Sequence, residues 1–168
     1  MDFIKLAETR YSVRKFSPQP VEKEKIEQIL HAAQVAPSAC NNQPWKIFVL
    51  QRKEALERAN RCSPYIYGAP LVFLVCYDLT EQYASSKNEL NFGLIDATIA
   101  MTHMVLAATE VGLGSCWIGE FAEDQTNELF ALSDSLEPAG FLAVGYAAMS
   151  PGPKHSIYKS LDQLAEWD

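Results

Sequence analysis

The chain has 168 residues, of which 48% are hydrophobic and 21% are charged, so its composition is that of an ordinary globular protein. Its 21 Asp and Glu residues outnumber its 14 Lys and Arg residues, and the resulting net charge of −7 disfavours nucleic acid and anionic membranes as partners. The length predicts a single domain over residues 1–168, in which 151–168 form a C-terminal tail that packs on the chain itself or on a partner subunit.

Short helices and strands alternate in the first half of the chain. Asp2 can cap a helix that extends to about Thr9. Apolar residues with helical spacing predict a second helix over 22–36, which Pro37 ends. The elements that follow are a predicted strand over 46–51, a polar helix over 53–61 and a strand covered on both faces over 70–77.

The segment 91–111 is long, nearly uncharged and apolar on more than one side, and Gly112 is placed to end it. Such a helix is buried in a large core or shared with another subunit, and in so short a chain a shared helix is the more economical interpretation. The remaining predicted elements are strands over 115–119 and 141–146, a helix over 123–132 and a short helical pattern in the tail. Together they predict an α+β fold with a mainly antiparallel central sheet flanked by helices.

Motifs for nucleotide, hydrolase and metal chemistry are absent from the sequence. Trp117 occupies the third glycine position of the G-x-G-x-x-G pattern that begins at Gly112, and no P-loop or G-x-S-x-G motif occurs. His31, His103 and His155 are isolated, without an H-E-x-x-H or paired C-x-x-C pattern, so we predict no metal site. An organic cofactor is left to perform the chemistry, and we assign no catalytic side chain.

The four cysteines are widely spaced and do not suggest a disulfide framework. Cys76 lies in an apolar run and Cys116 lies beside Trp117, which predicts that both are buried thiols. The first ten residues lack the apolar core of a signal peptide, and no apolar run reaches the roughly 20 residues of a membrane span. We therefore predict a cytoplasmic protein with reduced cysteines.

The segment RYSVRKF, residues 10–16, concentrates positive charge in an acidic protein. Arg10, Ser12 and Arg14 alternate, so an extended backbone would turn all three side chains to one side. Two guanidiniums and a hydroxyl form a good receptor for a phosphate group. The alternative interpretation is a solvated basic loop that follows a helix.

Two further segments have the composition of binding loops. APSACNNQPW, residues 36–45, is rigid and rich in amides that suit the polar edge of a flat heterocycle, although Asn and Pro are also simply good loop formers. GLGSCWIGEF, residues 112–121, combines small residues with an indole and allows close backbone approach, although a tight helix-to-strand turn explains it equally.

Taken in this order, the three segments, together with GAPLVFLV and AVGYA, resemble the nitroreductase family of flavoproteins. The resemblance covers nearly the whole chain. It implies an intertwined homodimer of α+β subunits with two FMN molecules bound at the subunit interface. The apolar helix over 91–111 agrees with this, because the corresponding helix of the family packs at the dimer core.

The resemblance also implies roles for individual residues. Arg10 and Ser12 would hold the FMN phosphate, and Arg14 would reach the ribityl chain and the pyrimidine end of the ring. The other cofactor-binding residues that it implies are Tyr11 and Val13 in the same segment, Pro37, Ser38 and Asn41 from the other subunit, and Ser115, Cys116 and Trp117, where backbone groups of the family approach the isoalloxazine.

The tail departs from the family pattern at one position. In HSIYKSL, Tyr158 stands where related members carry a phosphate-binding arginine. Lys154 or Lys159 can replace that positive charge, but as a point charge without a bidentate fork.

The family implies hydride transfer from NADH or NADPH to FMN N5, followed by reduction of an acceptor such as a nitroaromatic or a quinone in a ping-pong cycle. Three alternatives stay open on the sequence. They are a flavin sensor or carrier without turnover, a related reductive dehalogenation or flavin-fragmenting activity, and a cofactor-free dimeric interaction module.

Overall fold

The computed structural model describes residues 2–168, and Met1 lies outside the description. The helices are α1 (Phe3–Thr9), α2 (Lys23–Gln34), α3 (Lys53–Cys62), α4 (Gly93–Glu110) and α5 (Glu123–Phe130). The strands are β1 (Trp45–Leu50), β2 (Leu71–Asp78), β3 (Gly114–Ile118) and β4 (Leu136–Gly145). Each corresponds to a predicted element, and all except β4 have bounds within two residues of the prediction.

The four strands form one antiparallel sheet in the order β1-β2-β4-β3. Helices α2 and α4 pack on one face of this sheet, and α3 and α5 pack on the other. The predicted α+β class with an antiparallel central sheet flanked by helices is therefore confirmed. No helix within residues 2–168 has both the length and the apolar content that crossing a membrane requires.

Strand β2 lacks the alternation of apolar and polar residues, and its central position in the sheet explains why. Leu71, Phe73 and Val75 face the α2–α4 side, while Val72 and Leu74 face the α3–α5 side, and all five are fully buried. Because both faces of the strand are covered by helices, neither face has a position that favours a polar side chain.

Helix α4 packs on the sheet through small and flexible side chains, among them Ala97, Ala100 and Met104, which are completely buried. Its apolar character continues onto the opposite side, where Leu94 and Ile95 are 49% and 38% exposed. A single chain therefore covers only part of this helix. The predicted stop is confirmed, because Gly112 has a φ of +77° directly beyond the helix, a conformation that glycine adopts without strain.

The predicted start of the last strand was wrong. The sequence indicated a strand over 141–146, whereas β4 begins at Leu136. The sequence did not predict the first half of β4, because Pro138 and Gly140 are residue types that are unusual inside strands. The structure accommodates them at an irregularity in the β2–β4 register, where Gly140 has a φ of +151°.

Candidate functional site

The basic segment 10–16 pairs with the outer edge of β3, a contact that the sequence did not predict. Ser12 forms a parallel bridge with Ser115, and the Val13 amide donates a 2.9 Å hydrogen bond to the Ser115 carbonyl. Val13 is fully buried, and Gly114 makes room for it, because a Cβ on Gly114 would lie 2.5 Å from Val13 Cγ2. These contacts anchor the backbone from which the neighbouring arginines project.

The arginines line an open cleft of about 590 Å³ together with the first part of the tail. We call this space the cationic cleft. Its charged and polar lining residues are Arg10, Tyr11, Ser12, Arg14, Lys154, His155 and Tyr158. Three of the chain's 14 Lys and Arg residues thus line one cleft, which favours an anionic ligand.

The tail supplies one of its two candidate lysines to the cleft. Lys154 lines the cationic cleft, whereas Lys159 does not. Tyr11 anchors this part of the tail, because its hydroxyl donates a 2.7 Å hydrogen bond to the Met149 carbonyl and its ring meets the His155 ring edge-on at 5.8 Å. Of the two candidate lysines, Lys154 is therefore the one that shares the cleft with Arg10 and Arg14.

A second space of about 200 Å³ lies between α4 and β3. We call it the hydroxyl pocket, since three of its lining residues carry hydroxyl groups. Its lining is Arg10, Ser12, Thr102, Val105, Ser115 and Trp117. Arg10 and Ser12 also line the cationic cleft, so the two spaces share part of their lining.

A third space of about 320 Å³ is bordered by three aromatic residues, and we call it the aromatic pocket. Tyr65, Tyr67 and Trp117 line it, with the two tyrosine rings 6.2 Å apart. Arg14 lines it as well as the cationic cleft, and Trp117 lines it as well as the hydroxyl pocket. The three spaces therefore share lining residues at the edge of β3, and together we call them the crevice.

The amide-rich loop lies apart from this crevice. Pro37, Ser38 and Asn41 line none of the three spaces. The loop is instead held at the start of α4, where the Ala39 amide donates a 3.0 Å hydrogen bond to Asp96 Oδ1. Within the described residues, one chain does not bring the two predicted parts of the site together.

The same loop has a constrained backbone. Cys40, Asn41 and Gln43 all have φ values between 51° and 56°, in the left-handed region that residues other than glycine rarely adopt. Ser38 holds this conformation, because its Oγ accepts a 2.9 Å hydrogen bond from the Gln43 amide. A rigid loop was predicted, and its rigidity presents exposed amide groups in a defined arrangement.

Cys76 and Cys116 are buried thiols with raised pKa values. Burial raises the pKa of Cys116, and the nearby Arg14 charge and a hydrogen bond from Ser12 only partly oppose this effect. Burial and, to a smaller extent, the charge of Glu137 raise the pKa of Cys76 to about 12. The predicted burial of both cysteines is confirmed, and neither has the lowered pKa of a nucleophile.

Sequence reasoning missed three contributors to this region. Thr102 and Val105 line the hydroxyl pocket, but within an apolar helix their spacing cannot be distinguished from that of a core face. Asp96 had a visible signal, since it is an acidic residue in the first turn of an otherwise apolar helix. Within residues 2–168, no three His, Cys, Asp or Glu side chains are grouped so that they could hold a metal ion.

Comparison with known proteins assigns the family. The model of the nitroreductase family matches residues 7–63 and 57–146 of this chain. The chain belongs to the nitroreductase family. The resemblance carried by the three sequence segments is thereby confirmed.

Relatives of this nitroreductase-family chain match it along nearly its entire length. A Methanothermobacter thermautotrophicus protein provisionally named NADH dehydrogenase/NAD(P)H nitroreductase is 32% identical, over 99% of this chain and 88% of that protein. The crystal structure of a nitroreductase family protein from Clostridium difficile 630 is 36% identical, with a TM-score of 0.95 over 100% of this chain and 99% of that chain. An FMN-dependent nitroreductase from Clostridium difficile R20291 is 26% identical, with a TM-score of 0.78 over 94% and 98% of the two chains.

Proposed function

We propose that this chain is an NAD(P)H-dependent oxidoreductase that holds FMN and passes electrons to a small organic acceptor, with nitroaromatics and quinones as the expected classes. The observation that carries the proposal is the crevice. Its cationic cleft, hydroxyl pocket and aromatic pocket share lining residues and suit, respectively, the phosphate, the polyol chain and the flat ring of a flavin nucleotide. The nitroreductase names of its relatives support the same chemistry.

The residues of the crevice fit FMN. Arg10, Arg14 and Lys154 offer the positive charge that a phosphate monoester requires, and a guanidinium can bind two phosphate oxygens at once. Ser115 adds a buried hydroxyl oxygen that has no hydrogen-bond partner among the described residues, as expected where a ligand completes the site.

The protein's part in the reaction is to bind and to orient. FMN, when bound, supplies the redox chemistry by accepting a hydride from NAD(P)H and passing the electrons to the acceptor. Arg14, between the cationic cleft and the aromatic pocket, would stabilise negative charge at the pyrimidine edge of the ring. We also propose a ping-pong cycle, in which NAD(P)H and the acceptor reach the bound ring in turn.

A second copy of the chain would complete the site. We propose a homodimer in which the loop 36–45 of one subunit covers the crevice of the other, because in one chain this loop lines none of the three spaces. The exposed side chains Leu94 and Ile95 of α4 supply an apolar surface for such contact. The tail supplies more, since Leu161 and Trp167 are 76% and 88% exposed.

The direct experiment follows the visible spectrum of the FMN-loaded protein under anaerobic conditions. Addition of NADH or NADPH should bleach the flavin absorbance, and a quinone or nitroaromatic added afterwards should restore it. Bound flavin that neither nucleotide bleaches would contradict the enzymatic proposal. A protein that takes up no FMN would favour the interaction module instead.

A flavin sensor or carrier is the second candidate, and one observation favours it. Tyr158 lines the cationic cleft at the position where the family pattern has an arginine, so the phosphate loses a bidentate partner. The anaerobic experiment separates the two candidates, because a sensor binds flavin without donor-driven bleaching.

A further inference from the structure

Ser115 is the one residue of the hydroxyl pocket whose side-chain hydroxyl is both buried and without a hydrogen-bond partner in the described chain. The residue is only 3% exposed. Buried polar groups in native proteins are nearly always paired, so an unpaired hydroxyl of a residue that lines a pocket can pair with an atom of a ligand bound there.

The backbone carbonyl of Ser115 is already committed. It accepts the hydrogen bond from the Val13 amide, and the residue pairs with Val144 in the β3–β4 ladder. The resemblance to the family suggested that this residue meets the flavin through its backbone. The structure leaves the side-chain oxygen as the unused group of Ser115 instead.

The other two hydroxyls of the pocket differ from that of Ser115. The Thr102 hydroxyl donates a 2.9 Å hydrogen bond to the Thr98 carbonyl. Ser12 is only half-buried. Of the three hydroxyls, that of Ser115 is therefore the one that is buried without a hydrogen-bond partner in the described chain.

We propose that the Ser115 hydroxyl binds the polyol chain of the flavin nucleotide, an inference that rests on the proposed function. The hydroxyl pocket shares Arg10 with the cationic cleft and Trp117 with the aromatic pocket. The hydroxyl pocket thus lies between the space proposed for the phosphate and the space proposed for the ring. In FMN, the segment that connects these two groups is a chain of hydroxyl-bearing carbons.

The inference predicts opposite effects of Ser115→Ala on affinity and on stability. Loss of one hydrogen bond should weaken FMN binding about fivefold to tenfold. The melting temperature of the apoprotein should stay the same or rise, because the substitution removes a buried unpaired hydroxyl. Ser17→Ala is the matched control, since Ser17 follows the same segment but lines none of the three spaces. It should leave FMN affinity unchanged.

A comparison of three flavins shows which part of the ligand the Ser115 hydroxyl contacts. FMN and riboflavin share the polyol, whereas lumiflavin has the ring without the polyol or the phosphate. Ser115→Ala should weaken FMN and riboflavin by the same factor and leave lumiflavin unaffected. An equal loss for lumiflavin, a loss confined to FMN, or a lower apoprotein melting temperature together with general loss of binding would each overturn the inference.

The two proposals fail in different ways. If the unmodified protein takes up no FMN, the proposed function fails. If it binds FMN and Ser115→Ala binds as tightly, the assignment of Ser115 alone is wrong and the proposed function stands.

Discussion

Arg14 connects two parts of the crevice, because it lines both the cationic cleft and the aromatic pocket. Its guanidinium is exposed, and its bond to the Ser12 carbonyl is long at 3.5 Å, so the group is available to a ligand. Negative charge that develops on a flavin ring during reduction is stabilised by a nearby fixed cation. Arg14 should therefore affect both the affinity and the potential of the cofactor.

Replacement of Arg14 by alanine is expected to weaken FMN binding about tenfold or more, the effect of losing a charge-assisted hydrogen bond. It should also lower the two-electron reduction potential, by about 30 mV for each 1.4 kcal/mol of charge stabilisation that is lost. Fluorescence titration and a dye-equilibrated potential measurement check the two effects.

Lys15→Ala is the matched control for Arg14, because Lys15 is the next residue and is exposed but lines none of the three spaces. It should change neither quantity. Arg14→Ala protein with unchanged affinity and potential would remove Arg14 from the site.

The side chain of Glu137 lowers the stability of the folded protein by an amount that depends on pH. Burial, a hydrogen bond with Glu123 and the charge of Glu123 all raise the pKa of Glu137. A carboxyl whose pKa is raised on folding gives stability below its ordinary pKa, and that stability is lost as the pH rises through the raised value. The folded protein is thus at a disadvantage at neutral pH that it does not have in acid.

Glu137→Gln should therefore raise the melting temperature at pH 7, and the gain should shrink as the pH is lowered toward 4. Glu128→Gln is the control, since Glu128 is exposed on α5. Thermal unfolding monitored by circular dichroism at the two pH values measures the difference. A gain that is equal at both values would mean that the carboxyl charge is not its cause.

Individual site residues were predictable where local geometry alone places them. The alternation of Arg10, Ser12 and Arg14 needs only an extended backbone, and the structure confirms that they line one cleft. The choice between Lys154 and Lys159 depends on the path of the tail, which a sequence pattern does not contain. The unpaired hydroxyl of Ser115 depends on neighbours from three separate segments.

The contact between the basic segment and β3 depends on the absence of a side chain at Gly114. Val13 fills that space and is fully buried, which fixes the backbone between the two arginines. A methyl group at Gly114 would collide with Val13 and also lie 3.3 Å from Ala147 Cβ. The segment would have to move away from the strand edge.

Gly114→Ala is expected to destabilise the protein by about 1–3 kcal/mol, as overpacking does, and to weaken FMN binding at the same time. Gly119→Ala, directly after β3, meets nothing within 4 Å and should change stability by less than about 0.5 kcal/mol. It is a control for stability alone, because Gly119 lines the aromatic pocket. Urea unfolding of both variants and FMN titration of Gly114→Ala test this. Equal stability of the two variants would show that the close contact with Val13 has no role.

Helices and strands were predictable to the extent that periodicity and chain breakers dominate locally. The helical spacing before Pro37 and the stop at Gly112 located α2 and α4. The first half of β4 was not predicted, because pairing with β2 outweighs the low strand propensity of Pro138 and Gly140. Long-range pairing of this kind leaves no periodic signal in the sequence.

The loop 36–45 and the crevice are separate within one chain. The proposed site therefore depends on the association of two copies of the chain. The loop 36–45 is fixed at the start of α4 through the buried carboxylate of Asp96. The crevice instead lies beside Thr102 and Val105, further along the same helix. A sequence can indicate both parts, but only a second copy would let one loop reach the other crevice.

Sedimentation velocity of the FMN-loaded protein, recorded through the visible absorbance of the flavin, tests this account most directly. We expect the flavin signal to sediment with a species of twice the mass of the chain. Flavin that sediments as free FMN, or that stays bound to a species of single-chain mass, would contradict a site built from two copies.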